Sequence, residues 1–177
     1  MENNIEYSLG ALKSPYDIRD YKINIPKKLI FPKEFSLTQT PTKNQGIVES
    51  CVAHSLASVI EYFNLIQHEI NEPMSVGYIY GNRLNTSYTG SGMYLREALD
   101  NILKHGDVYN YEFPHNLEVP ACINKFNKDF NFLEERGLPH RITAYYKLSS
   151  IDEIKYSLMN NGPVIFSIKW YKDAKVD

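Results

Sequence analysis

From Cys51 onward, apolar side chains at Val52, Leu56, Val59, Ile60 and Phe63 recur at spacings of three and four, which places them on one face of an α-helix. Ser50 stands in the N-cap position of that helix. A second stripe, Leu95, Leu99, Ile102 and Leu103, predicts a helix from about Met93 that stops at Gly106. Further on, Ser150 followed by Glu153 has the form of a capping box. It predicts a helix reaching about Met159 and ended by Asn161-Gly162-Pro163. Residues 107–140 carry Pro114, Pro120, Gly137 and Pro139 and read as loop, with room for a short helix around Lys125 to Glu135. Two segments have strand composition: Arg141 to Tyr146, and Val164 to Trp170, which reads as buried.

Ahead of the helices, Pro15, Pro26 and Pro32 exclude long helices, so residues 1–34 are read as an extended arm. Residues 38–46, polar and carrying Pro41 and Gly46, form a loop, and residues 35–177 make one domain. Helices precede strands, which makes α+β the expected fold class.

Composition narrows the function. With 43% hydrophobic and 23% charged residues the chain is of the globular kind. Net charge is −2, and the largest basic cluster is Lys27-Lys28, too small for a nucleic-acid footprint. No run of about 18 apolar residues exists, so no membrane span is expected. The first 20 residues lack a signal-peptide pattern, and a cytoplasmic protein is expected. Cys51 and Cys122 are then expected to be reduced thiols, Cys122 an incidental one in a loop. No histidine pair has zinc-ligand spacing, and no phosphate loop, dinucleotide fingerprint or Gly-x-Ser-x-Gly elbow occurs. Neither a metal nor a cofactor is expected, and nothing in the sequence sets an oligomeric state.

What stands out is Asn44-Gln45-Gly46-Ile47-Val48-Glu49-Ser50-Cys51-Val52-Ala53-His54-Ser55. A thiol in the first turn of a helix faces unpaired backbone N–H groups and the positive end of the helix dipole, and both favour the thiolate, which is the nucleophile. Gln45 lies six residues upstream, where its amide and the backbone N–H of Cys51 could both donate to one oxyanion. Taken alone, a cysteine before an apolar helix is most often a small core residue.

These residues resemble the nucleophile region of the papain-like cysteine peptidases, Gln-Gly-x-Cys-Gly-Ser-Cys-Trp-Ala-Phe-Ser. Gln45, Gly46, Ser50, Cys51, Ala53 and Ser55 match at the same spacing. Val48 replaces a disulfide cysteine, Glu49 a glycine, Val52 the tryptophan and His54 an aromatic; Glu49 places a negative charge where it opposes a thiolate. Gly90-Ser91-Gly92-Met93 resembles the family's substrate-pairing Gly-Gly segment, and Asn161-Gly162-Pro163-Val164 the element before its histidine strand.

The resemblance, over roughly residues 32–170, implies a helical left lobe and an incomplete β-rich right lobe. It also implies Cys51 as nucleophile, Gln45 as oxyanion-hole side chain, Ser91 and Gly92 as substrate-binding residues, and a peptide or protein as substrate. The family's catalytic histidine follows its cysteine by about 130–150 residues. Only 126 residues follow position 51 of 177, so that histidine is expected beyond Asp177. Among the histidines present, His54 is read as a packed structural residue, His68 and His105 as helix C-terminal residues, and His115 and His140 as surface residues. Two alternatives stay open: a truncated, inactive peptide-binding relative, and a thiol-dependent acyltransferase on the same scaffold. The arm before Phe31 could occlude the cleft in any of them.

Overall fold

The computed structural model describes residues 10–18, 20–83, 92–115 and 131–168. Its centre is α1 (Cys51–His68), which buries Val52, Ala53, Leu56, Ala57 and Ile60 together with the polar Glu61 and Asn64. The buried face is rotated from the expected stripe: Val59 and Phe63 are half-buried at its edge. The two alanines explain the rotation, because their small side chains allow neighbouring backbone to approach. What approaches is α2 (Val76–Gly81), all six of whose residues are buried. Ser75 caps α2, its hydroxyl accepting the Tyr78 N–H at 2.9 Å.

A short strand, β2 (Met93–Tyr94), leads into α3 (Leu95–His105), so the second helix begins two residues later than expected. Gly106 ends it as anticipated, with φ of 71° and its N–H bonded to the Ile102 carbonyl. Residues 131–137 are helical (α4) and run into a 3₁₀ turn at Leu138–His140, whereas 116–130, including Cys122, lie outside the described residues. The capping box is realised in α5 (Ile151–Asn160): the Ser150 hydroxyl accepts the Glu153 N–H at 3.2 Å, and the Glu153 carboxylate accepts the Ser149 N–H.

The main core gathers the apolar face of α1 with Met74, Val76, Ile79, Tyr80, Met93, Ala98 and Ile102. Leu56 and Ile102 are essentially sealed from solvent, each contributing about 1.5–3 kcal/mol of burial. Tyr78, Val108, Phe113 and Leu133 form a second cluster on the far side of α2.

Strand content differs from expectation. β1 (Ala11–Leu12) pairs in parallel with β2, Ala11 opposite Met93. Residues 141–146 form no strand; nearby, Lys147 makes a single bridge to Lys22. Of the strand expected from Val164 to Trp170, residues 169 and 170 lie outside the described residues, and 164–168 are not a strand: Val164 and Ile165 are half-buried, while Phe166 is 74% and Ile168 65% exposed. A strand requires a neighbour to take up its N–H and C=O groups, and among the described residues none lies alongside either segment. The architecture is therefore a helical lobe with little sheet, consistent with an incomplete α+β fold. Among the described residues, no helix is long and apolar enough to cross a membrane.

Two glycines separate backbone strain from steric collision. Gly46 has φ of 58°, and a Cβ there would meet nothing within 4 Å, whereas a Cβ on Gly106 would strike the Gly137 carbonyl. Gly46→Ala is expected to cost about 1 kcal/mol and Gly106→Ala about 3 kcal/mol or more. Urea unfolding measures both, and equal losses would contradict the difference in packing.

Candidate active site

The residues before α1 fold back on its first turn. Asn44 Oδ1 accepts the Gly46 N–H at 2.8 Å, and Gly46 takes positive φ. The Val48 N–H reaches the Gln45 carbonyl at 3.3 Å and the Ser50 N–H the Val48 carbonyl at 2.8 Å. Gln45 and Cys51 are both half-buried, and Cys51 is the first helical residue, as expected. The Ser55 hydroxyl donates to the Cys51 carbonyl at 3.0 Å.

Ser50 departs from expectation. It sits at the N-cap position and is fully buried, but its hydroxyl does not cap the helix. Instead, Oγ lies 3.2 Å from His54 Nδ1 and 3.1 Å from His115 Nε2. His54 Nδ1 is 2.9 Å from the Ser50 carbonyl, and the two imidazoles meet edge to face with centroids 4.9 Å apart. Burial lowers His54, and the Lys43 cation adds to this, while the Ser50 and Asn44 carbonyls pull the other way. Burial, helped by neighbouring His54, pushes His115 down to about 4.

His115 is thus no surface residue, a correction to its loop reading. Its segment is anchored by the Ser75 hydroxyl, which donates to the Phe113 carbonyl, and it packs where Gly77 of α2 carries no side chain. A contact between residues 50 and 115 leaves no periodic signal in the sequence. His140 is also half-buried, its ring edge-on to Tyr109 at 4.8 Å. His54 is packed as expected. His105 pairs with Glu134 at 2.6 Å, and His68 is exposed in the last turn of α1.

Of the expected substrate-binding residues, Ser91 lies outside the described residues, and Gly92 is buried with φ of 87°. Its N–H donates to Tyr80 Oη at 3.3 Å and its carbonyl accepts from Arg83 Nη1 at 3.4 Å. The arm joins Gly92 to the cysteine loop. The Gly10 carbonyl accepts the Met93 N–H at 2.8 Å, a Cβ on Gly92 would come within 2.5 Å of the same carbonyl, and a Cβ on Gly10 would collide with the Glu49 carbonyl. Gly10 therefore sits wedged between the loop before Cys51 and the Gly92 backbone. Beyond it, Arg96 of α3 grips the arm through the Pro15 carbonyl and both carboxylate oxygens of Asp20, and Lys147 reaches Asp20 at 3.1 Å.

A groove of about 440 Å³ runs along α1 one turn beyond Cys51, between residues 37–43 and Pro163, with His54, Ser58 and Tyr62 in its wall. Among the described residues no group of three or more His, Cys, Asp or Glu side chains could hold a metal ion.

The sequence matches no family model and no curated protein significantly. Solved structures do match. Xylellain, a cysteine protease from Xylella fastidiosa, superposes with a TM-score of 0.70 at 21% identity, over 85% of this chain and 62% of its own. A mite-allergen structure from work on Blo t 1 and Der p 1 gives 0.53 at 20% identity, over 80% and 47%. Digestive procathepsin L 3 of Tenebrio molitor larval midgut gives 0.53 at 12% identity, over 81% and 46%. The chain thus spans less than two thirds of the length of each. These neighbours are papain-like cysteine proteases, and the fold of this chain is the papain-like one.

Proposed function

We propose that Cys51 is the nucleophile of a cysteine-type peptidase. The observation that carries this reading is its place as the first residue of α1, directly after the folded-back Gln45 loop, in a chain of papain-like fold. The Cys51 thiolate attacks the carbonyl carbon of a peptide substrate, and Gln45 together with the Cys51 N–H stabilises the oxyanion. The amine leaves with a proton from a histidine, the acyl group stays on sulfur, and water activated by the same histidine releases the acid. In this reading the histidine and its asparagine partner come from sequence following these 177 residues. Ser91 and Gly92 would align the substrate backbone, which requires the Gly92 N–H and carbonyl to leave Tyr80 and Arg83.

One observation favours a second reading, a non-catalytic peptide binder. Four of the five histidines have other partners: His54 and His115 at Ser50, His105 at Glu134 and His140 at Tyr109, while His68 closes the far end of α1. Among the described residues no hydrogen bond joins any of them to Cys51, and a reading without a base at the thiol is one of binding without cleavage. A thiol-dependent acyltransferase would use the same acyl-enzyme and differ only in its acceptor.

Cys51→Ala is expected to abolish turnover of peptide ester and amide substrates, about 10⁴-fold or more, and Gln45→Ala to lower kcat/KM by about 10²–10³-fold. Activity surviving in Cys51→Ala would sink the nucleophile assignment. An acyl-enzyme detected by intact mass, with added amines intercepting it in preference to water, would select the transferase; no adduct at Cys51 would select the binder.

Removing residues 1–30 is expected to speed iodoacetamide modification of Cys51 about tenfold, if the arm is closed nine-tenths of the time. Identical rates with and without the arm would show that it does not restrict the site.

A further inference from the structure

We propose that His54 and His115 are positioning residues for the Cys51 end of α1 and for the Gln45 loop, acting through Ser50. The two imidazoles converge on the one residue directly before the thiol, and that residue has no exposure to solvent. His54 Nδ1 also lies 2.9 Å from the Ser50 carbonyl at the start of the helix. The Ser50 N–H bonds the Val48 carbonyl and the Val48 N–H the Gln45 carbonyl, so the residue held by both rings links the loop that carries the candidate oxyanion amide to the turn that carries the candidate nucleophile.

The hydrogen-bond polarity follows from the partners. The Ser50 carbonyl is an acceptor only, so His54 Nδ1 carries a proton and donates to it. The Ser50 hydroxyl is 3.5 Å from the Val48 carbonyl and 3.1 Å from His115 Nε2, so its hydrogen is directed to the imidazole. His115 is then the acceptor, a neutral ring with its proton on Nδ1, which is buried and has no hydrogen-bond partner among the described residues. Protonating Nε2 would turn two donors toward each other and force the Ser50 hydroxyl back to the distant Val48 carbonyl.

The surroundings offer a second charge little relief. Lys43, from the segment before α1, adds positive field at His54 and is itself paired with Glu61. Tyr80 of α2 meets His115 edge-on with centroids 6.4 Å apart, and Arg83 lies over the Tyr80 ring at 4.0 Å. Cys51 and Glu49 flank Ser50 in the chain. The unfolded or locally opened chain takes up the His115 proton near pH 6.5, while the closed cluster resists it until about pH 4. Stability of the cluster is therefore intact above pH 6.5 and is lost as pH falls across that window.

Hydrogen exchange of the full chain, followed by mass spectrometry and corrected for the intrinsic pH dependence, reads the cluster through the peptide covering residues 44–55. In the unaltered chain, exchange there is expected to rise between pH 6.5 and 4, while the α3 peptide stays level. His115→Phe removes the acceptor and is expected to raise exchange of residues 44–55 about tenfold at pH 7. His115→Gln places an amide near the Nε2 position without titrating, and is expected to restore neutral-pH protection and to remove the acid-side rise. Should His115→Phe fail to fold, the imidazole NMR titration of the unaltered chain decides instead: a midpoint near pH 4 supports the proposal. A midpoint near pH 6.5, unchanged exchange in His115→Phe, or an acid-side rise that persists in His115→Gln would overturn it. No turnover is measured, so the outcome is independent of whether the chain is a peptidase.

Discussion

The carboxylate of Glu61, buried on α1, is the attachment on which the surrounding chain depends. It accepts the Met74 N–H at 2.7 Å and pairs with the Lys43 ammonium. One side chain thus holds the irregular segment that leads to Gln45 and the start of the segment that becomes α2. A charge at this depth is tolerable only because both partners are present; removing one partner of such a buried pair costs about 3–5 kcal/mol. Met74 in turn bridges to Tyr109, and the Ser75 N–H bonds the Val108 carbonyl at 2.8 Å, so the chain that delivers His115 is laid against the same frame.

From that frame the site is assembled through backbone contacts that only small residues allow. Gly77 admits the 113–115 segment, and Gly10 and Gly92 admit each other beside the Glu49 carbonyl. The same closeness that builds the site also closes one edge of it. The Gly92 backbone bonds Tyr80 and Arg83, and the neighbouring Met93 N–H is taken by the arm. The bidentate Arg96–Asp20 pair secures the arm at a distance, through an interaction that is planar and directional.

Local signals were legible wherever the physics was local. The Ser150–Glu153 box and the Gly106 stop each concern groups within one or two helical turns, and both formed as read. The α1 span was legible from its period, although its buried face turned toward Ala53 and Ala57, because an alanine has no distinctive signature until a neighbour is seen against it. α2 gave no signal: six residues buried on every side have no polar face to alternate with. The two expected strands had the right composition but, among the described residues, no partner, and strand formation is a property of pairs.

For the site, the sequence alone determined which thiol stands at a helix start, which amide precedes it, and the likeness of both to the papain-like pattern. Those are matters of spacing along one stretch of chain. Tertiary structure decided where the Ser50 hydroxyl points, that His115 is buried against it, and that Gly10 lies between Glu49 and Gly92. These contacts join residues far apart in the chain, position 50 with 115 and position 10 with 49 and 92. They are set by the packing of α1 against α2 and by the glycines that let backbone meet backbone, and no periodicity records them.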